Sequence, residues 1–170
     1  HGFAIASINY RLIPDHQWPA QINDCRAAVR FLRSNAAKYG LDGKNIAAWG
    51  SSAGGHLVAV LGSQDLPKDE KISSRVQAVL DWFGPVDLLT MPPNVVSPKR
   101  TLEQVSKSNG ALLLGSTVRD VPKLAKEASP FWNVSADDSP FLIMHGYEDP
   151  GVPIEQIHRL HAKQKKMGAP

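Results

Sequence analysis

A serine flanked by two glycines stands where an apolar run meets a helical pattern, and this arrangement strongly constrains the fold. The run Ile46–Trp49 predicts a short strand, and His56–Leu61 predicts the continuation of a helix. Between them, Gly50-Ser51-Ser52-Ala53-Gly54 matches the pattern G-x-S-x-G. A strand that turns directly into a helix at its carboxyl end is typical of a parallel sheet, so the motif favours an α/β fold.

The predicted strands and helices alternate along the chain. Four apolar runs predict strands, at Phe3–Ile8, Ile46–Trp49, Val76–Phe83 and Phe141–Met144. Three stretches predict helices, at Pro19–Tyr39, about His56–Leu61 and about Pro153–Met167. This alternation predicts an α/β fold with a mostly parallel sheet and helices on both faces, in one partial domain over residues 1–170.

The stretch from about residue 84 to residue 139 interrupts the alternation. It is rich in proline, and short helices are predicted only around Thr101–Lys107 and Pro122–Ala128. No single piece has enough apolar residues to form a core of its own. We therefore expect a cap-like excursion over the sheet rather than a second domain.

Composition excludes several classes of protein. The chain has 170 residues, 42% of them hydrophobic, and a net charge of +3. Its basic residues are dispersed among acidic ones, apart from Lys163, Lys165 and Lys166, so no nucleic-acid partner is expected. No apolar run reaches the roughly 18 residues of a membrane span. A single cysteine, Cys25, permits neither an intrachain disulfide nor a thiolate metal cluster.

Ser52 is the candidate nucleophile of the turn. In so tight a turn, a Cβ at Gly50 or Gly54 is expected to collide with neighbouring backbone, which would explain both glycines. The turn would present the Ser52 hydroxyl at the carboxyl edge of the sheet and direct the Ala53 N–H to the same space as an oxyanion donor. The alternative is that Ser51 or Ser52 merely caps the following helix.

A serine nucleophile needs a base, and the base needs an orienting carboxylate. In a fold of this kind the chain order is serine, acid and then histidine. The loop after the predicted strand Phe141–Met144 contains two carboxylates, Glu148 and Asp149. For both, the alternative is a solvated turn, since Asp149-Pro150-Gly151 is common turn chemistry.

Several motifs in order resemble the esterase and lipase branch of the α/β-hydrolase fold, particularly hormone-sensitive-lipase-like and acetyl or feruloyl xylan esterase-like members. The resemblance covers nearly the whole chain. The matching segments are Asn9-Tyr10-Arg11-Leu12, Trp18-Pro19-Ala20 with Asp24, the elbow Gly50–His56, Ser129-Pro130, and Pro140–Gly146 with Asp149, Val152 and Pro153.

This resemblance implies a serine carboxylesterase that hydrolyses a small-molecule ester without a cofactor or a metal ion. It implies Ser52 as the nucleophile, Ala53 as an oxyanion-hole donor, and Asp149 rather than Glu148 as the acid. His1-Gly2 does not match the HGG-type oxyanion loop of such enzymes, and the chain ends before the position of their catalytic histidine. We therefore expect both to lie outside these residues, in a longer protein.

The histidines that are present match the base poorly. His56 lies one turn into the elbow helix, and His145 ends the strand that precedes the acid. His158 and His161 follow Asp149 too closely to leave room for another strand. Packing or helix-end positions are the ordinary interpretation of all four.

Two other functions remain open. A peptidase resembling the prolyl oligopeptidase family shares the chain order of serine, acid and histidine, although that family tends to have a large aromatic residue where Ala53 stands. A non-catalytic relative that binds a ligand or a partner is the second. Trp82 and Phe83 are candidate walls of a substrate pocket, or else core residues.

Overall fold

A computed structural model describes residues 2–64 and 71–170. Its three strands are β1 (Ala47–Ser51), β2 (Ala78–Trp82) and β3 (Phe141–Met144). The helices are α1 (Ala20–Ser34), α2 (Ala36–Tyr39), α3 (Ala53–Ser63), α4 (Leu102–Ser106), α5 (Asn109–Leu114), α6 (Pro122–Glu127), α7 (Pro130–Asn133) and α8 (Glu155–Met167), with a 3-10 turn at Pro92–Asn94.

The three strands form one parallel sheet in the order β1-β2-β3. At its carboxyl edge, Ser51 is aligned with Trp82, and Trp82 with Met144. The predicted parallel sheet is therefore confirmed. Because the strands are parallel, the segments that follow all three of them begin at the same edge.

One face of the sheet forms the core. Helix α3 packs on it and α1 packs against α3, and their side chains Ile22 and Val60 share a cluster with Val79 of β2. The last helix, α8, covers the β3 end of the same face, where Leu160 is fully buried beside Phe141. Apolar burial of this kind is the main stabilising contribution to such a fold.

The other face of the sheet is open. Side chains alternate between the two faces of a strand, so Trp49, Leu142 and Met144 point away from α3. They are 57%, 56% and 51% exposed. Helices were predicted on both faces, but among residues 2–64 and 71–170 the longer helices cover one.

The segment Phe3–Ile8, predicted as a buried strand, is not one. Phe3 is 89% exposed and Ile5 is 86% exposed, and no strand of the described residues pairs with them. A strand requires a hydrogen-bonded neighbour, which the local apolar pattern does not supply. The next residues are held by Arg11, whose main-chain N–H and guanidinium both donate to the carboxylate of Asp24 in α1.

The long predicted helix Pro19–Tyr39 is divided in two. Asn35, with φ −106° and ψ 13°, separates α1 from the short α2. The predicted end of the helical stretch at Gly40 is confirmed, since this glycine adopts a left-handed conformation with φ +64°.

Residues 84–139 contain only short helices, and both predicted pieces are present as α4 and α6. Thr101 and Gln104 form a reciprocal capping box at the start of α4. The segment is connected to α8 through Gln156, whose side-chain oxygen accepts hydrogen bonds from the main-chain N–H groups of Val86 and Asp87. Arg159 of α8 also forms an ion pair with buried Asp87 at 2.9 Å.

Candidate active site

Ser52 lies on the sharp turn between β1 and α3. Its φ of 53° and ψ of −117° are rare for a residue with a side chain. Its main-chain N–H donates to the carbonyl oxygen of Trp82 at 2.9 Å, which extends the hydrogen bonding of the sheet by one residue. The Ser52 side chain is exposed and makes no capping hydrogen bond with α3. The capping alternative for Ser52 is therefore wrong.

The two glycines of the motif have different roles. A Cβ built on Gly50 would lie 2.3 Å from the carbonyl oxygen of Gly54, which agrees with the steric reason predicted for Gly50. A Cβ on Gly54 would meet no atom within 4 Å outside its own helix, so the collision predicted for Gly54 is wrong. The turn therefore excludes a side chain at position 50, two residues before the serine, but not at position 54, two residues after it.

A second pair of glycines brings α3 close to the end of β2. A Cβ on Gly55 would lie 2.4 Å from Oδ1 of Asp81 and 2.9 Å from the main chain of Gly84. A Cβ on Gly84 would lie 2.5 Å from the main chain of Gly55 and His56. The close helix–sheet packing predicted from Gly55 is present, whereas Gly84 was not singled out by the sequence.

Asp81 is a fully buried carboxyl beneath this contact. Its Oδ1 accepts a hydrogen bond from the Gly84 N–H at 2.9 Å, and its Oδ2 has no hydrogen-bond partner among the described residues. Burial raises the pKa of Asp81 to about 6, because the low-dielectric interior disfavours the charged form. In the sequence, the only sign of this buried carboxyl is an acidic residue within an apolar predicted strand.

Ala53 is the first residue of α3. The first N–H groups of a helix have no carbonyl partner within that helix and carry the positive end of its dipole. The position next to Ser52 therefore leaves the Ala53 N–H suited to stabilise an anionic oxygen bound at the serine.

Asp149 lies in the loop that follows β3. Its Oδ1 accepts hydrogen bonds from the N–H groups of Gly151 at 2.8 Å and Val152 at 2.9 Å. These bonds, with that from Val152 the stronger influence, lower the pKa of Asp149 and keep it ionised near neutral pH. Its neighbour Glu148 is exposed. Of the two carboxylates, Asp149 is thus the one whose geometry the loop defines.

The strand register places the serine and the acid loop at the same edge of the sheet. Ser51 and Met144 are both aligned with Trp82, so Ser52 and the acid loop leave the same edge from strands two positions apart. Neighbouring strands lie about 4.8 Å apart, which puts the ends of β1 and β3 about 10 Å from each other.

The histidines are engaged elsewhere or exposed. His56 is buried, with Nε2 2.6 Å from the carbonyl oxygen of Ala128, and burial lowers its pKa. The Nε2 of His145 lies 2.7 Å from the carbonyl oxygen of Val152. His158 and His161 are exposed on α8. Within the described part of the chain, no histidine is hydrogen-bonded to Ser52.

Two aromatic residues border the end of β2. Trp82 packs edge-on against Trp49 on the open face, with ring centroids 4.8 Å apart. Phe83 is half-buried and has a φ of +47°. Ser52 and Phe83 are thus two non-glycine residues with positive φ at adjacent strand ends, and no sequence signal marks Phe83.

Residues 2–64 and 71–170 contain neither a metal-binding cluster nor a membrane-spanning helix. No group of histidine, cysteine, aspartate or glutamate side chains there has the arrangement of a metal site. None of the helices in that part of the chain is long and apolar enough to cross a membrane.

Known proteins resemble this chain along most of its length. It is 33% identical to Esterase LipC and 34% identical to Esterase LipQ, both of Mycobacterium tuberculosis, over 95% and 99% of this chain. Those matches cover 41% and 39% of the relatives, so the chain spans about two fifths of their length.

A solved esterase structure also resembles this chain. A truncated form of a carbohydrate esterase from gut microbiota superimposes with a TM-score of 0.83 at 38% identity, covering 96% of this chain and 61% of that one. The fold is therefore that of the α/β-hydrolase esterases, as predicted. The BD-FAE family model matches residues 1–164, and the chain belongs to the BD-FAE family.

Proposed function

We propose that this chain is part of a serine carboxylesterase in which Ser52 is the nucleophile and Asp149 is the acid. The observation that carries the proposal is the backbone of Ser52, which has φ 53° and ψ −117° and leaves the side chain exposed at the carboxyl edge of the sheet. Strained backbone of this kind persists where the surrounding structure enforces it, commonly at functional sites.

In the proposed reaction, Ser52 Oγ attacks the carbonyl carbon of an ester while a histidine accepts its proton. The Ala53 N–H stabilises the oxyanion of the tetrahedral intermediate. When the intermediate collapses, the alcohol leaves with that proton, and an acyl-serine remains. Water, deprotonated by the same histidine, then releases the acid and restores Ser52.

Asp149 fixes the tautomer and orientation of that histidine and stabilises the imidazolium. Its Oδ1 is saturated by Gly151 and Val152, whereas no described residue donates a hydrogen bond to Oδ2. Oδ2 is therefore the atom that would accept from the imidazole. We assign the histidine and an HGG-type oxyanion loop to parts of the protein outside these 170 residues.

The relatives support an ester as the substrate. LipC and LipQ are named esterases, and the superimposed structure is a carbohydrate esterase. We propose a small-molecule ester as the substrate and no cofactor, since every proposed step uses protein groups and water.

The test is labelling of the full-length protein with a fluorophosphonate, followed by identification of the modified residue. Labelling at Ser52 that is absent in Ser52→Ala is the expected result. Hydrolysis of p-nitrophenyl acetate should greatly exceed that of an aminoacyl-proline amide. Preferred amide cleavage would indicate a peptidase, and a folded protein without labelling would indicate a binding protein; either result would overturn the proposal.

A further inference from the structure

A buried histidine contacts the loop that contains the proposed acid, Asp149. His145 directly follows β3, and its side chain is 2% exposed. Its Nε2 lies 2.7 Å from the carbonyl oxygen of Val152. A carbonyl oxygen only accepts, so Nε2 carries a hydrogen and donates it. This hydrogen bond joins the beginning of the acid loop to its end.

Val152 is also one of the two residues that hold Asp149. Its N–H donates to Asp149 Oδ1 at 2.9 Å, while its carbonyl oxygen accepts from His145. Val152 is therefore bound through its carbonyl oxygen to the buried ring of His145 and through its N–H group to the carboxylate of Asp149. A displacement of Val152 would move the N–H group that orients Asp149.

The ring itself does not form a hydrogen bond with the carboxylate. Nε2 of His145 is 3.7 Å from Oδ2 of Asp149, beyond hydrogen-bonding distance. Oδ2 consequently remains open to a donor, while the loop around it is closed by the bond to Val152. His145 thus lies near the acid without occupying the acceptor atom that the proposed mechanism requires.

The chemical state of His145 follows from its surroundings. Its Nδ1 is buried and has no hydrogen-bond partner among the described residues. A proton on Nδ1 would be an unpaired buried donor, which is costly. The tautomer that fits these contacts has its hydrogen on Nε2, which makes the nitrogen facing Val152 a donor rather than a proton acceptor for Ser52.

From these contacts we propose that His145 is a positioning residue for catalysis: its hydrogen bond to the Val152 carbonyl holds the acid loop in the conformation that aims Asp149 Oδ2 at the catalytic histidine. The proposal rests on the proposed role of Asp149. In this proposal His145 affects the reaction by holding the acid loop in place, not by touching the substrate.

Two amide substitutions test the hydrogen bond itself. The side-chain nitrogen of glutamine reaches about as far as Nε2, and that of asparagine only about as far as Nδ1. In the full-length enzyme, His145→Gln is expected to retain kcat for p-nitrophenyl acetate within about threefold. His145→Asn should lower kcat about 100-fold with little change in KM, since a misplacement of about 1 Å can cost that much. Equal loss in both variants would overturn the proposal.

A double-mutant cycle separates positioning from general damage. If His145 acts through Asp149, then His145→Asn should cause little further loss when Asp149→Asn is already present. Independent, multiplying losses would contradict the proposal. If Asp149→Asn alone leaves kcat intact, it is the proposed role of Asp149 that has failed.

A measurement on the unaltered protein does not depend on variant folding. Two-dimensional ¹⁵N–¹H spectra near neutral pH should show His145 with its hydrogen on Nε2. A hydrogen on Nδ1 with a bare Nε2 would be incompatible with donation to Val152 and would overturn the proposal.

Discussion

A methyl group on Gly50 would lie 2.3 Å from the carbonyl oxygen of Gly54, closer than any real contact of a Cβ atom. The turn can therefore keep its shape only if residue 50 has no side chain. Gly50→Ala is expected to lower the free energy of unfolding by at least about 2 kcal/mol, as overpacking against backbone does. Denaturant titration of the full-length protein measures this change.

Gly54→Ala is the matched control. Gly54 lies inside α3, where a Cβ meets no atom within 4 Å outside the helix. Alanine is the better helix former by about 1 kcal/mol, so this variant should be at least as stable as the parent. Equal destabilisation by both substitutions would contradict the geometry described for the turn.

The backbone conformation of Ser52 should measurably lower the stability of the folded protein. With φ at 53°, any residue with a Cβ is strained, and glycine is not. Ser52→Gly and Ser52→Ala both remove the hydroxyl, but only glycine removes the strain. We expect the glycine variant to be more stable than the alanine variant by about 1 kcal/mol. Parallel thermal unfolding curves measure the difference, and a more stable alanine variant would argue against strain.

The two carboxylates of the acid loop should differ strongly. Asp149→Asn is expected to reduce kcat by up to about 10⁴-fold, since an amide would favour the wrong imidazole tautomer. Glu148→Gln should have little effect, because Glu148 is exposed. Steady-state kinetics with p-nitrophenyl acetate compare them. A damaging Glu148→Gln beside a mild Asp149→Asn would reverse the assignment of the acid.

Asp81 should make stability depend on pH. Burial raises its pKa in the folded state to about 6, above the value of about 3.9 for an unfolded chain. Its protonated form therefore stabilises the fold, fully below about pH 4, and this contribution is lost as the pH rises through about 6.

Asp81→Asn removes that titration. The parent protein should lose about 2 to 3 kcal/mol of unfolding free energy between about pH 4 and pH 7, and the variant should not show this loss. Urea titrations at the two pH values measure this, with the same substitution at exposed Asp15 as the matched control for the change of residue type. A difference between parent and variant that is independent of pH would refute the raised pKa.

The isolated 170-residue chain should lack Ser52-dependent esterase activity. His56 and His145 are bound to main-chain carbonyl groups, and no described histidine is hydrogen-bonded to the serine. The open sheet face, with Trp49, Leu142 and Met144 exposed, should also promote association. Hydrolysis of p-nitrophenyl acetate is compared with a Ser52→Ala chain, and light scattering reports association. Clear Ser52-dependent turnover by a monodisperse sample would contradict this expectation.

The parts of the fold that local pattern determines could be predicted from the sequence. The alternation of apolar runs and helical patterns was enough for the parallel sheet, and the apolar runs located β1, β2 and β3 to within two residues or better. The turn at Ser52 could be predicted because its steric requirement lies within five consecutive residues.

Features that depend on distant partners could not be predicted. The segment Phe3–Ile8 has the composition of a strand, but pairing requires a neighbour that composition does not specify. The raised pKa of Asp81 depends on the approach of α3, and the bond from His145 depends on how the loop returns to Val152. Phe83 adopts a positive φ without the glycine or asparagine that usually signals one.

The hydrogen bond from the Ser52 N–H to the Trp82 carbonyl makes the proposed nucleophile an extension of the sheet rather than a member of a loop. Its main chain is thereby joined to β2, the central strand of the sheet. If residues 84–139 form the cap expected from the sequence, sequence change there would alter which molecules reach the serine while the serine itself stays in place, and recognition would evolve separately from reactivity.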